Sequence, residues 1–554
     1  MNLQTFTRCL LLSAASLCAI NSFAQKKKVD LLVHNGKIYT VDDPFTVTAA
    51  MAINEGRIVE TGESKKLLAK YEAKEKLDAK AAFIYPGFID AHAHFLGYGL
   101  SLQQVNLVGS ASWEEILDRV SKFYQKKIRQ PGQWIIGRGW DQNDWEIKEF
   151  PTKEKLDRLF PSNPVLLTRI DGHAAIANQK ALDLSGITPA TKIADGEVEE
   201  KKGKLTGILI DNAIDLVSEK IPPTSTIQKT TALLEAQQNC FAVGLTTVDD
   251  CGVHYQAAAL FDSLHKSGQL KMRIYAMLSD AKDNFDWAQK HGKIKTPYLS
   301  VSSFKVYADG ALGSRGACLL HPYADKPGWT GFLLSSPQHF DSVASVLYKM
   351  NWQMNTHAIG DSGNRTILQI YGKYLKGAND RRWRIEHAQV VNENDFALFG
   401  RFQIVPSVQP THATSDMYWA ADRLGPHRVK GAYAFQDLKK QNGWIPLGTD
   451  FPVEDISPFK TFLAAVFRVD AKGYPAGGYQ MENALSREEA IRGMTIWAAK
   501  SNFEDAEKGS LEKGKWADFI LLDKDLMTIG AGEVLKTTVL ATYVAGKKVY
   551  QKKK

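Results

Sequence analysis

The sequence predicts an α/β protein: a (β/α)8 TIM barrel with an inserted capping subdomain after its first strand and a composite β-sandwich built from both termini. Eight strand-like runs alternate with helical stretches, the pattern of a parallel α/β fold. They are Phe83–Ala91, Leu245–Asp250, Arg273–Leu278, Ser303–Ala308, Gln353–His357, Trp383–His387, Ile404–Gln409 and Ile445–Asp450, and eight such units make one barrel. A gap of about 150 residues separates the first run from the second, far beyond the length of a loop, so 95–240 is expected to be the insertion. Turn-punctuated β segments stand at both ends, in 29–80 and 501–554, with the barrel expected over 81–500.

Taken in order, residues 1–24 read as a signal peptide. Arg8 supplies the positive start, Cys9 to Ile20 the apolar core, and Ser22-Phe23-Ala24 the small residues before Gln25. That core is too short to span a membrane, and no later stretch reaches about 18 uninterrupted apolar residues, so no membrane span is expected. Leu17 before Cys18 argues against lipoprotein processing. An exported protein follows, periplasmic or secreted. Cleavage leaves three of the five cysteines, Cys240, Cys251 and Cys318. Three scattered cysteines are no disulfide framework and read as small buried hydrophobes.

In the N-terminal β unit, Asp30–Thr40 alternates and turns at Asn35-Gly36, and a second turn falls at Asn54-Glu55-Gly56. At the other end Ala517–Asp523 is a strand, and Val539–Val544 with Lys548–Tyr550 frame a turn at Gly546. Helical patterns such as Thr230–Val243 and Asp341–Asn351 fill the gaps between barrel runs. The insertion holds Trp134–Asp141 and a strand, Val165–Ile170, leading to Asp171-Gly172-His173.

Over 554 residues, 44% are hydrophobic and 23% charged, ordinary for a soluble globular protein. The net charge of +8 comes partly from lysine runs at Lys26–Lys28 and Lys552–Lys554. No basic stripe interleaved with aromatics lies between them, which removes nucleic acid as an expected partner.

The chemistry gathers at strand ends. In Pro86-Gly87-Phe88-Ile89-Asp90-Ala91-His92-Ala93-His94 the two histidines are two residues apart, and on a strand that spacing points both imidazoles to one face. Neutral histidine is the commonest metal ligand; the plainer reading is a hydrogen-bonded pair on a half-exposed strand. Four more polar residues lie at or near strand ends: Lys305 on the fourth run, His357 on the fifth, His387 on the sixth and Asp450 on the eighth. Singly, the lysine suits an ion pair and each histidine a structural role. Together they put four histidines, a lysine and an aspartate around one barrel mouth, where such barrels do chemistry, and that points to a metal.

These segments resemble the amidohydrolase superfamily, in its N-substituted formamide deformylase-like branch. The likeness rests on Pro86–His94, Lys305–Arg315, His357-Ala358-Ile359-Gly360-Asp361, Arg384–Gln389, Gly448–Glu454 and Gly509–Asp518. The resemblance implies a binuclear site: His92, His94 and Asp450 on one divalent metal, His357 and His387 on the other, and Lys305, carboxylated by CO₂, bridging them. Zinc suits these ligands best. Burial beside cations is expected to lower the Lys305 pKa towards the neutral amine that carboxylation needs. The implied reaction is hydrolysis of an amide-type small molecule by a metal-activated water, with Asp450 as catalytic proton acceptor. A homodimer is the assembly the resemblance suggests.

The insertion is expected to cap the barrel mouth, with His173 donating a hydrogen bond to the substrate carbonyl or oxyanion; the plainer reading makes His173 a capping residue for a helix beginning near Ala174. Trp140 and Asp141 are candidate pocket residues, although a tryptophan there also suits a core. Arg315 would bind an acidic substrate group or pair with Asp309, and Asp361 would orient His357. The competing readings are a mononuclear deaminase of the same superfamily, which lacks a ligand lysine on the fourth strand, and a non-catalytic metal- or solute-binding barrel. A phosphoester hydrolase shares the metal logic but finds no cation cluster at the mouth.

Overall fold

The computed structural model describes residues 25–127, 130–193 and 196–553; the signal peptide read over 1–24 lies outside them. Seven parallel strands form most of a barrel: Phe88–Ala93, Leu245–Val253, Arg273–Ser279, Leu299–Tyr307, Gln353–Ala358, Arg384–His387 and Val405–Ser407, neighbouring in that order. The eighth position is the extended segment around Leu447–Asp450. It carries no regular ladder, but Gly448 N donates to Val408 O, Ala91 N to Leu447 O and Asp450 N to His92 O. Those bonds join the seventh strand to the first and close the ring.

The run read as one strand over Phe83–Ala91 is two. Phe83–Pro86 belongs to the sandwich and Phe88–Ala93 to the barrel. Gly87 lies between them, at a position where a Cβ would meet the Thr246 side chain at 2.3 Å. Helices start earlier than the apolar runs suggest. Thr226–Ala242 is capped by Ser225 in a capping box with Gln228, and Pro337–Met350 by Ser336. The polar first turns satisfy their own amides through those caps, so they need no apolar residue to be helical.

The sandwich is composite. One sheet, with Lys27–His34 at its centre, is built from the N-terminal segment. The other pairs Phe83–Pro86 with Phe519–Leu522 and so joins the two ends of the chain. Leu31, Val33, Ile53, Ile84, Phe519 and Tyr543 fill the space between the sheets. The insertion has its own six-stranded sheet, from Val105–Asn106 to Lys204–Asp211, with a core on each face. The helices flanking it, Phe95–Ser101 and Thr226–Ala242, pack closely on each other: a Cβ on Gly99 would meet Ala232 O at 2.6 Å. Cys240 and Cys251 are buried free thiols, and Cys318 is half-buried.

Close backbone contacts hold the fifth strand-end loop in place. A Cβ on Gly360, three residues after His357, would sit 2.0 Å from Cys318 O. Backbone cannot step aside as a side chain can. Gly360→Ala is therefore expected to lower unfolding free energy by about 3 kcal/mol, read from a denaturant titration; an unchanged midpoint rejects the contact.

Candidate metal centre

Alternation along each strand brings the predicted residues to one place. His92 is fully buried; its Nδ1 lies 2.5 Å from Glu386 Oε2 and its Nε2 3.2 Å from Lys305 Nζ. His94 Nδ1 is 3.0 Å from Cys251 O, and His387 Nδ1 is 2.7 Å from Gln409 Oε1. One nitrogen of each of these rings is engaged by the scaffold, which leaves the other for the centre. The His357 and His387 ring centroids stand 4.5 Å apart, and those of His92 and His387 4.7 Å. Ligand atoms of His92, His387 and Asp450 lie within 4.8 Å of one another.

This donor set fits a metal. His357 Nε2 and Asp450 Oδ1 are buried with no hydrogen-bond partner, a costly state for polar atoms unless something else occupies them. Asp450 Oδ1 is 3.2 Å from His94 Nε2 without the alignment of a hydrogen bond. Burial, with the Lys305 ammonium beside it, pulls the His92 pKa down to about 4. The same two causes, with His92, pull His357 down to about 3, and burial takes His387 well below its ordinary value. All three imidazoles are neutral near pH 7, the ligating form. Burial works against the Asp450 carboxylate, yet His94, His92, His387 and His412 hold its pKa well below the carboxylate range. Asp450 sits at φ +64, a left-handed conformation that Asp and Asn tolerate better than most residues.

Lys305 departs from expectation. Burial lowers the pKa of its ammonium, but the groups that face it, Cys251 and Tyr307 ahead of Glu386 and Asp450, carry the net shift upward. The expected lowering is not met, because the groups facing the ammonium outweigh burial.

Sequence reasoning missed several neighbours. Glu386 directs His92 and is itself held by Arg384, through contacts of 2.6 Å to Oε1 and 3.0 Å to Oε2. Arg384 is fully buried, pairs with Asp249 at 2.9 Å and also donates to Ala91 O. The carboxylate holds His92 in the tautomer that leaves Nε2 free, and Arg384 keeps Glu386 ionised at a pKa of about 2 against burial. Glu386→Gln, with Asp249 still pairing Arg384, is expected to weaken metal affinity about 10- to 100-fold, measured by chelator competition; unchanged affinity would remove Glu386 from the centre. His412 is the other omission. Its ring stacks on His387 at 5.9 Å, and its buried Nε2, without a hydrogen-bond partner, is 3.7 Å from Asp450 Oδ2. It lies three residues past Gln409, on the helix Pro410–Asp416.

Other candidates fall elsewhere. Trp140 is not a pocket residue: it is wholly buried in the insertion core, beside Trp145 and Phe150, with Nε1 donating to Leu167 O. Asp141 caps the short helix Gln142–Asp144 and pairs with Arg169 at 2.6 Å. Arg315 pairs with Asp325 at 2.8 Å rather than with Asp309, whose carboxylate accepts the amides of Cys318, Ile359 and Gly360. Asp361 accepts the Leu320 amide, and the carboxylate beside His357 is Asp309, 3.7 Å from Nε2. His173 precedes a strand, Ala174–Ala177, not a helix. Its side chain is 77% exposed and its Nδ1 lies 2.9 Å from Asp211 Oδ1, in a contact within the insertion.

Known proteins share this architecture. The Amidohydrolase family model matches residues 75–550. "Protein LONG AFTER FAR-RED 3" of Arabidopsis thaliana is 33% identical, over 94% of this chain and 91% of its own. The "N-substituted formamide deformylase" of Arthrobacter pascens is 27% identical over 94% of this chain and 98% of its own. An uncharacterized metal-dependent hydrolase from Pyrococcus horikoshii superposes with a TM-score of 0.76 at 28% identity, over 91% of this chain and 99% of that one. With the family model spanning most of its length and the strand-end histidines in one cluster, this chain belongs to the Amidohydrolase family.

Proposed function

We propose that this protein hydrolyses a C–N bond, of an amide or formamide, in a small molecule. The observation that carries the reading is the convergence of His92, His94, Lys305, His357, His387 and Asp450, with buried ligand atoms that no protein group satisfies. His92, His94 and Asp450 would hold one divalent ion and His357 and His387 a second, with carboxylated Lys305 between them; zinc suits the nitrogen and oxygen donors. Such ions acidify a bound water and polarise a carbonyl.

The chain's own part is positional and acid–base. Asp450, anionic and in contact with the histidine cluster, takes the proton of the attacking water and returns it to the departing amine. Glu386 and Gln409 fix the His92 and His387 rings. Carboxylation would join the neutral Lys305 amine to CO₂ and release a proton, and bound divalent cations would favour that neutral amine over the ammonium. The deformylase name of one relative supports the C–N bond, and the apolar stretch Cys9–Ile20 supports export to the periplasm or medium.

The test is amine release from formanilide, N-methylformamide and N-formylglycine by the zinc-loaded full chain. Turnover of any of them, abolished by a chelator and restored by zinc, supports the reading. Ammonia release from aminopurines with no amide cleavage, at about one ion per chain, would establish the deaminase instead.

A further inference from the structure

Among the groups around the centre, one aromatic ring stands exposed. Tyr307 is two residues beyond Lys305 at the end of the fourth barrel strand, so alternation keeps it on the same face. Its ring centroid is 4.7 Å from Lys305 Nζ and 5.5 Å from the His357 ring. Its hydroxyl leans over to strand two, where a Cβ on Gly252 would meet it at 3.1 Å. Lys305 is buried, yet Tyr307 is 40% exposed. The ring therefore borders the centre on one side and solvent on the other.

The loop that leaves Tyr307 extends this character. It returns beside the strand end, with Leu334 N donating to Ala308 O and Asp309 bridging Leu333. On the returning stretch Trp329, Phe332 and Leu334 are all exposed, and the first two rings meet edge to face at 6.2 Å. Large apolar side chains left in water next to a reactive centre mark a binding surface. The cations beside this wall already have partners: Lys326 lies over the Trp329 ring, 4.6 Å from its centroid. Arg315 is held by Asp325 at 2.8 Å, and Arg423 is held by the same carboxylate.

We propose that Tyr307 is a stacking platform for the substrate, and that with the Trp329–Leu334 segment it selects uncharged amides bearing a flat apolar group. The inference rests on the hydrolase reading for its chemistry and on this wall for its selectivity. A planar substituent covers the open face of the Tyr307 ring, and removing water from both faces is the gain that a methyl group cannot match. A carboxylate in that position would have to draw Arg315 or Arg423 away from Asp325, or Lys326 off the Trp329 ring.

The experiment compares wild type, Tyr307→Ala and Tyr307→Phe, all zinc-loaded, with formanilide, N-methylformamide and N-formylglycine. The ratio of kcat/KM for formanilide to that for N-methylformamide is expected to fall about ten-fold in Tyr307→Ala, through KM, and to be restored in Tyr307→Phe. A ratio that stays constant, or a wild-type preference for N-formylglycine, overturns the platform while leaving the hydrolase intact. Calorimetric binding of acetanilide to the same proteins separates the two claims. Binding weakened in Tyr307→Ala, with no amide cleaved by any protein, would keep the platform and discard the hydrolase; binding equal in all three discards the platform.

Discussion

Replacing Lys305 with alanine is expected to take the protein from about two bound divalent ions per chain to one or none. The side chain is buried at the centre of the cluster, 3.2 Å from His92 Nε2. The histidines alone give each proposed ion two neutral nitrogens and little anionic charge. Asp450 lies close to both His92 and His387, and without the bridge the two ions would have to share it, since Asp309, the other carboxylate near His357, already accepts backbone amides. Elemental analysis of the purified proteins reads the result directly. Two ions retained in Lys305→Ala would make Lys305 a structural lysine. About one ion in both proteins would favour the mononuclear deaminase. Mass spectrometry of the native wild-type chain adds an independent reading, since carboxylation adds the mass of CO₂ and is lost in acid.

What the sequence revealed, and what it hid, follows from which interactions are local. His92 and His94 could be read because period-two alternation fixes their shared face, and the other ligands because barrel strands end at one mouth. The eighth segment was legible as a position even though it forms no ladder, because Leu447 and Asp450 close onto Ala91 and His92 through isolated backbone bonds. Glu386 was hidden as a partner of His92 because 294 residues separate them. His412 was hidden because it lies on a helix beyond its strand, where alternation no longer says which way a side chain points. Trp140 went wrong for a related reason. Alternation gives two faces of the insertion's sheet but not which one meets the barrel, and both faces carry cores. The sign at Lys305 depended on Cys251, Glu386 and Asp450, which reach it from other strands.

Asp450→Asn is expected to lower kcat about 10²- to 10⁴-fold, the contribution of a positioned general base. The substitution isolates that role. Asparagine keeps the size and one oxygen ligand of aspartate, and it shares the tolerance for the left-handed backbone at φ +64, so the segment that closes the barrel is not strained. What it removes is the charge that the surrounding imidazoles hold in the ionised form and the ability to accept a proton. If Asp450 moves the proton, kcat falls while KM changes little, because the amide binds before the proton transfer begins. The loss should also deepen as the departing amine becomes more basic, since such an amine leaves only when protonated. Formanilide and N-methylformamide differ in that respect, so the ratio of their kcat values in the variant is the sensitive measurement. A variant that bound both ions and turned over at the wild-type rate would leave Asp450 a ligand alone, and the proton would have to pass through another group; His412, 3.7 Å from its Oδ2, is the side chain to substitute next.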